Sequence, residues 1–186
     1  KKPMKRKPIV GMSLKIYVNR REEAKTLAKE MKERLGQVED VDLFLLPSMG
    51  TLDPVAKILK GSSIGYGVQN IAPKEHGAYT GEFSIESAED LSCTLVEIGH
   101  AERKGYFHET PELIHEKVLL TLRYGMRPVV CVGEKTPGEG REKALEEQVC
   151  AYLKEVPLEA FPQVILAYEP EWAIGQKEPA KAAYVH

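Results

Sequence analysis

Short apolar runs alternate along this chain with longer charged stretches whose apolar positions recur at helical spacing. The first run, Ile9-Val10-Gly11-Met12-Ser13-Leu14, ends at Lys15, and a helix-period segment over 20–35 follows and closes at Gly36. Val41-Asp42-Leu43-Phe44-Leu45-Leu46 stops at Pro47, and Asp53-Pro54 opens a helix through Leu59. A third strand is predicted over 63–68, interrupted by Gly65 and Gly67. The connection over 69–82 is too long for a simple turn, and such loops are generally functional or disordered. Ser84-Ile85-Glu86-Ser87 then supplies a cap and a start for a helix ending near Ser92.

Leu95-Val96-Glu97-Ile98 reads as the fourth strand and delivers Gly99-His100. Thr110-Pro111-Glu112 opens the next helix, because Thr can cap and Pro tolerates the first helical position; it ends near Tyr124-Gly125. Pro128-Val129-Val130-Cys131-Val132 is the fifth strand, a helix is predicted over 138–155, and the sixth strand covers 164–168. Strands of about five residues alternating with longer helices predict an α/β fold, a parallel sheet covered by helices. Periodicity alone leaves an open sheet and a closed barrel equally possible.

Two features favour the barrel. Polar residues follow the strands (Lys15, Gln69-Asn70, His100, Glu134, Glu169), which is where a barrel carries its site. The chain also stops at His186 within an apparent helix, and six units of an eightfold barrel leave two buried sheet edges unpaired. The expectation is a single barrel domain over 1–186 that lacks its last two βα units, roughly 60 residues against the usual barrel length.

Composition narrows the classes. With 186 residues, 42% hydrophobic and 29% charged, the chain matches an ordinary soluble domain able to bury a sizeable core, and a net charge of −2 argues for no nucleic acid. Lys1-Lys2-Pro3-Met4-Lys5-Arg6-Lys7 is basic, but no apolar core follows, so it reads as a solvated tail and not a signal peptide. No stretch is long and apolar enough for a membrane helix. Cys93, Cys131 and Cys150 have no C-x-x-C spacing, which predicts reduced thiols and a cytoplasmic location. Neither G-x-G-x-x-G after the first strand nor G-x-x-x-x-G-K-[ST] is present, so a nucleotide-dependent Rossmann enzyme is a poor reading. His76, His108, His115 and His186 are scattered, without metal-ligand spacing, and no cofactor is expected. Cys131 reads as a buried strand residue and not as a nucleophile.

The chemistry points to Ala167-Tyr168-Glu169-Pro170-Glu171-Trp172-Ala173-Ile174-Gly175, where a carboxylate ends an apolar strand and a Pro and a Trp-Ala-Ile-Gly loop follow. That suits a base at a pocket mouth with a loop able to close over it. Taken singly, Glu169 fits a solvated or helix-capping carboxylate as well as a base. His100 taken singly fits a packed or capping residue. Gly99-His100-Ala101-Glu102-Arg103, however, sets the imidazole where a helical turn can begin, and a helix N-terminus disfavours imidazolium. A neutral ring can donate to a carbonyl and exchange a proton with an enediolate. Lys15 is a cation that could steer and hold an anionic substrate, or a plain surface lysine. A base, an electrophile and a cation together suit proton abstraction beside a carbonyl in a phosphorylated sugar.

Gln69-Asn70, Gly77-Ala78-Tyr79-Thr80-Gly81-Glu82, Ile98-Gly99-His100-Ala101-Glu102-Arg103, Val130-Cys131-Val132-Gly133-Glu134 and Ala167 to Gly175 follow one another as motifs of a known family do. Nearly throughout, the chain resembles triosephosphate isomerase. The resemblance implies a TIM (β/α)8 barrel and an intramolecular isomerase of glycolysis and gluconeogenesis. Its reaction interconverts D-glyceraldehyde 3-phosphate and dihydroxyacetone phosphate by proton transfer through an enediolate. The family's established roles, a worked case of paired base and neutral imidazole, make Glu169 the base, His100 the electrophile and Lys15 the electrostatic anchor. Glu102 becomes a supporting carboxylate near Lys15, and with Ser13 and Gly175 it belongs to the substrate-binding set.

The resemblance further implies a lid with Pro170-Glu171-Trp172 as first hinge, 173–177 as tip and Glu178-Pro179-Ala180 as second hinge. Closure excludes water and brings the backbone N–H of Gly175 onto the substrate phosphate. It implies a homodimer too, with the loop over 69–82 reaching the neighbouring subunit and Thr80 near the partner's site. Several positions depart from the family pattern. Gly11-Met12-Ser13-Leu14-Lys15 stands where Gly-Asn-Trp-Lys is usual, with Ser13 at the asparagine position. Ala101 replaces a serine, Gly175-Gln176-Lys177-Glu178-Pro179 replaces Gly-Thr-Gly-Lys-Thr, and Glu171 adds a second acid beside the base. These departures leave open an isomerase of a tetrulose phosphate such as erythrulose phosphate, or a non-catalytic sugar-phosphate-binding barrel.

Overall fold

In the computed structural model, which describes residues 6–186, the apolar runs are strands and the helix-period stretches are helices. The tail expected at the start lies, for residues 1–5, outside the described residues. The chain divides into two compact units, one ending at Val96 and the other spanning Glu97–His186.

The first unit holds β1 (Ile9–Ser13), α1 (Arg21–Leu35), β2 (Asp42–Leu46), α2 (Leu52–Leu59), β3 (Ile64–Val68), α3 (Ile85–Asp90) and the first half of β4 (Leu95–Ile98). All pairings are parallel: Ile9 opposes Asp42, Leu43 opposes Ile64, and Gly67 opposes Leu95. Acidic Glu22 and Glu23 in the first turn of α1 and basic Lys32 and Arg34 in its last complement the helix dipole. Its buried face is only Ala24 and Ala28, small enough to let α1 lie close to its neighbours. Val55, Leu59, Leu45 and Ile64 fill the core between helix and sheet. As expected, Ser84 caps α3, its Oγ accepting from the Glu86 N–H at 3.0 Å. α2 starts a little before Asp53 because a 3₁₀ turn, Met49–Thr51, leads into it.

The second unit holds the rest of β4, then α4 (Ala101–Tyr106), α5 (Pro111–Arg123), β5 (Arg127–Val132), α6 (Arg141–Tyr152), β6 (Ile165–Tyr168) and α7 (Ala182–Val185). Val129 to Val132 oppose Ile165 to Tyr168 in a parallel pair. Thr110 Oγ1 accepts from the Leu113 N–H at 3.2 Å, with Pro111 in the first turn of α5, as the sequence predicts. The helix expected over 138–155 is shorter, because Gly138 and Gly140 adopt φ of +117° and +95°, which no right-handed helix contains, so α6 begins at Arg141. Within each unit, neighbouring strands are consecutive in the sequence. A doubly wound sheet needs an order reversal, and none occurs among the described strands; the connectivity is that of a (β/α) barrel.

Candidate functional site

The ends of β5 and β6 hold the carboxylate. Val132 opposes Tyr168, and the next N–H of the chain, that of Glu169, donates to Val132 O at 2.9 Å. After Val132 comes Gly133, where a Cβ would lie 1.7 Å from the Glu169 carbonyl oxygen; only glycine permits the backbones to pass so closely. Glu169 therefore leaves β6 at its carboxyl end, with its side chain 52% exposed. Pro170 is buried, and the Glu171 N–H donates to Glu134 O at 3.0 Å, which starts a 3₁₀ turn, Glu171–Ala173, against the end of β5.

β4 delivers the imidazole. Gly99, at φ +74°, makes the sharp turn out of the strand, and His100 is the N-cap of α4. Its Nδ1 accepts from the Glu102 N–H at 3.1 Å. That bond needs a lone pair on Nδ1, so the ring is neutral with its proton on Nε2. Nε2 lies 3.9 Å from Glu169 Oε1, too far for a direct hydrogen bond. Both groups face one small cavity, shared with Ala101, Lys104, Cys131, Val132, Glu171 and Ile174. An acceptor and an N–H donor thus open onto a single space. Glu102 Oε2 approaches Nδ1 to 3.5 Å, but the backbone N–H already occupies that lone pair. Cys131 lies in β5, and burial, with the carboxylates of Glu97 and Glu169 nearby, drives its thiol pKa far up, so it is no thiolate nucleophile.

Beside this cavity a buried carboxylate gathers the segment that follows Glu169. Glu134 Oε1 accepts from Trp172 Nε1 at 2.8 Å and from the Tyr184 hydroxyl at 2.7 Å, while the Tyr168 hydroxyl donates to Oε2 at 3.1 Å. The Trp172 and Tyr184 rings meet edge to face, 5.1 Å apart. Arg141 lies over the Tyr184 ring and donates to its carbonyl. Burial by itself would raise the pKa of Glu134, but the hydrogen bonds from Tyr184, Trp172 and Tyr168 favour its anion and leave it below the ordinary carboxylate value. Gly175, the position expected to meet a phosphate, follows the 3₁₀ turn and is exposed.

Ser13, Lys15 and Thr80 lie in the first unit. Lys15 sits in the turn two residues past β1 with φ +47°, a conformation that L-residues seldom adopt. The turn is held by the Gln69 side-chain amide, which donates to Lys15 O at 2.8 Å and to Leu46 O at 3.1 Å. The Lys15 N–H also points at Ser13 Oγ, 3.4 Å away. Thr80 is at the exposed tip of the loop over 69–82. That loop is closed at its base by the Ala72 N–H to Phe83 O bond of 2.8 Å and by Asn70 Nδ2 to Glu82 Oε2 at 3.0 Å.

Lys104 and Tyr184 escaped the sequence reading. Lys104 forms an ion pair with Glu171, and both side chains are largely buried. Its spacing of one helical turn from His100 was the available signal. Tyr184 offered none, since nothing local ties it to Glu134. Among the described residues no group of three or more His, Cys, Asp or Glu side chains could hold a metal ion.

Comparison with known proteins follows the same lines. The family model "Triosephosphate isomerase" matches residues 8–186. The chain is 45% identical over 183 residues to "Probable triosephosphate isomerase 2" of Listeria monocytogenes serovar 1/2a, covering 97% of this chain and 72% of that protein. It is 44% identical to "Triosephosphate isomerase 2" of Listeria innocua, with the same coverage, 97% and 72%. Against "Triosephosphate isomerase" of Chloroflexus aurantiacus, identity is 37% over 185 residues, covering 96% of this chain and 74% of the relative. The (β/α) connectivity, the carboxylate and imidazole on one cavity and the match from residue 8 to residue 186 agree, and the chain belongs to the triosephosphate isomerase family.

Proposed function

We propose that this chain interconverts D-glyceraldehyde 3-phosphate and dihydroxyacetone phosphate as an aldose–ketose isomerase of glycolysis, with Glu169 as base, His100 as electrophile and Lys15 as electrostatic anchor. Glu169 takes a proton from the carbon beside the carbonyl. The C–H electron pair forms the new C=C bond and the carbonyl π pair moves onto oxygen, where His100 Nε2–H donates to it. His100 then gives its Nε2 proton to that oxygen, which becomes a hydroxyl, and takes the proton of the neighbouring hydroxyl; as that second oxygen forms the new C=O, the C=C pair takes the proton back from Glu169 at the neighbouring carbon. The observation that carries this reading is the pair of groups 3.9 Å apart, a carboxylate and a neutral imidazole presenting Nε2–H. The names of the relatives lend no support to a tetrulose-phosphate isomerase or a non-catalytic binder.

The remaining roles belong to the same proposal. Ser13 and Glu102 shape the substrate pocket, the Gly175 N–H receives the phosphate on lid closure, and Thr80 meets a partner subunit in a homodimer. The chain forms part of a single barrel domain and works in the cytoplasm. Among the described residues, no helix is long and apolar enough to cross a membrane. Glu169→Asp withdraws the carboxylate by about 1 Å, and kcat for dihydroxyacetone phosphate falls about 100-fold with KM little changed. An unchanged kcat removes Glu169 from the role of base.

A further inference from the structure

The ion pair between Lys104 and Glu171 is unused by the proton transfer above, yet it joins the two elements that supply it. Lys104 lies in α4, the helix that His100 caps, and its backbone N–H donates to His100 O at 3.2 Å. Glu171 opens the 3₁₀ turn two residues after Glu169. The side chains are 12% and 13% exposed, and both line the cavity onto which His100 and Glu169 open. Glu171 Oε1 makes no aligned hydrogen bond, so its attraction to the ammonium is ionic. The Lys104 ammonium lies 5.8 Å from the centroid of the Tyr152 ring on α6, a further attraction that keeps it turned inward. Largely withdrawn from water, such a pair is screened far less than one on the surface.

We propose that Lys104 and Glu171 are positioning residues, an ionic tether that holds the start of the lid segment to the helix capped by His100 and so sets the separation of His100 from Glu169. Neither touches the reacting atoms. The tether acts through backbone on both sides, through Pro170 to the base and through one helical turn to the imidazole. Its catalytic consequence rests on the isomerase reading, whereas its effect on the lid segment does not. Trp172, the single tryptophan in the sequence, follows Glu171 directly and reports that segment without any substrate.

The test compares Lys104→Met, Glu171→Gln and the double variant Lys104→Met/Glu171→Leu in the whole protein. Acrylamide quenching of Trp172, with any tryptophan outside these 186 residues replaced by Phe, Tm, and kcat and KM for dihydroxyacetone phosphate are the readouts. Each single variant strands a buried charge, so Tm falls; quenching rises, and kcat drops about tenfold with KM within about twofold. The double variant regains Tm, because an apolar pair of similar volume replaces a buried ion pair at little cost, but keeps the raised quenching and the lowered kcat. Recovery of kcat and quenching together with Tm overturns the tether and leaves the pair merely structural, as do single variants with native quenching and kcat. If the single variants do not fold, the double variant decides by the same criteria. Should the unaltered protein turn over no triose phosphate, the isomerase reading fails and quenching alone decides the tether.

Discussion

At Glu134 three donors converge on one carboxylate, and their hydrogen bonds outweigh the burial that would otherwise favour its protonated form. Its folded pKa therefore lies below the unfolded value of about 4.3, and between the two the unfolded state binds more protons. The stabilisation is fully present above the unfolded pKa and is lost as pH falls through the folded one. In Glu134→Gln that stabilisation is absent at every pH. The difference in Tm between the unaltered protein and the variant should hold steady above about pH 5 and shrink below about pH 4, as read by calorimetry at several pH values. A difference that stays constant down to pH 3 would show that Glu134 is not held anionic by its neighbours.

Between elements, a cluster of buried charge joins α4 to α5. Glu109 Oε2 accepts from Arg103 Nε and Lys117 Nζ, both at 2.8 Å. The side chains of Lys117 and Glu109 are only 4% and 2% exposed. Two cations here share one oxygen of a buried carboxylate, whose other oxygen, Oε1, has no hydrogen-bond partner. Glu109→Gln removes the carboxylate charge that faces the buried Lys117 ammonium at 2.8 Å and should cost about 1–3 kcal/mol of unfolding free energy. The denaturant midpoint measures it; a loss under about 1 kcal/mol would mean that water or a rearranged carboxylate replaces Glu109. Since His100 caps α4, loosening this joint acts on the site through the helix and not through any contact with substrate.

For the whole molecule, the proposed homodimer makes sense of large side chains left in water in the first unit. Ile16 and Tyr17 are 78% and 82% exposed, and Tyr79 at the loop tip is 40% exposed. Scattered apolar residues on a surface are ordinary, but three large ones in segments adjoining Lys15 and Thr80 suit an interface. Sedimentation at micromolar concentration should give about twice the chain mass measured on the same sample. A fully active monomer would remove both the dimer and the role of Thr80.

Strand and helix order could be read directly, since each run of apolar residues and each cap is a local signal. Ser84 and Thr110 cap the helices they were expected to cap, and Leu95–Ile98 delivers His100 into the turn of a helix. α6 starts three residues later than the pattern predicts, although Gly138 and Gly140 are visible in the sequence, because glycine marks only a permission and its φ is chosen by the packed chain. The motif residues named Glu169 and His100, but no spacing encodes the 3.9 Å between them. Nor does it encode the convergence of Tyr168, Trp172 and Tyr184 on Glu134, or the pairing of Lys104 with Glu171. Backbone hydrogen bonding and amphipathic periodicity act over a few residues, so the linear chain dictates its elements; meetings of distant side chains depend on how strands and helices pack, which only folding in three dimensions decides.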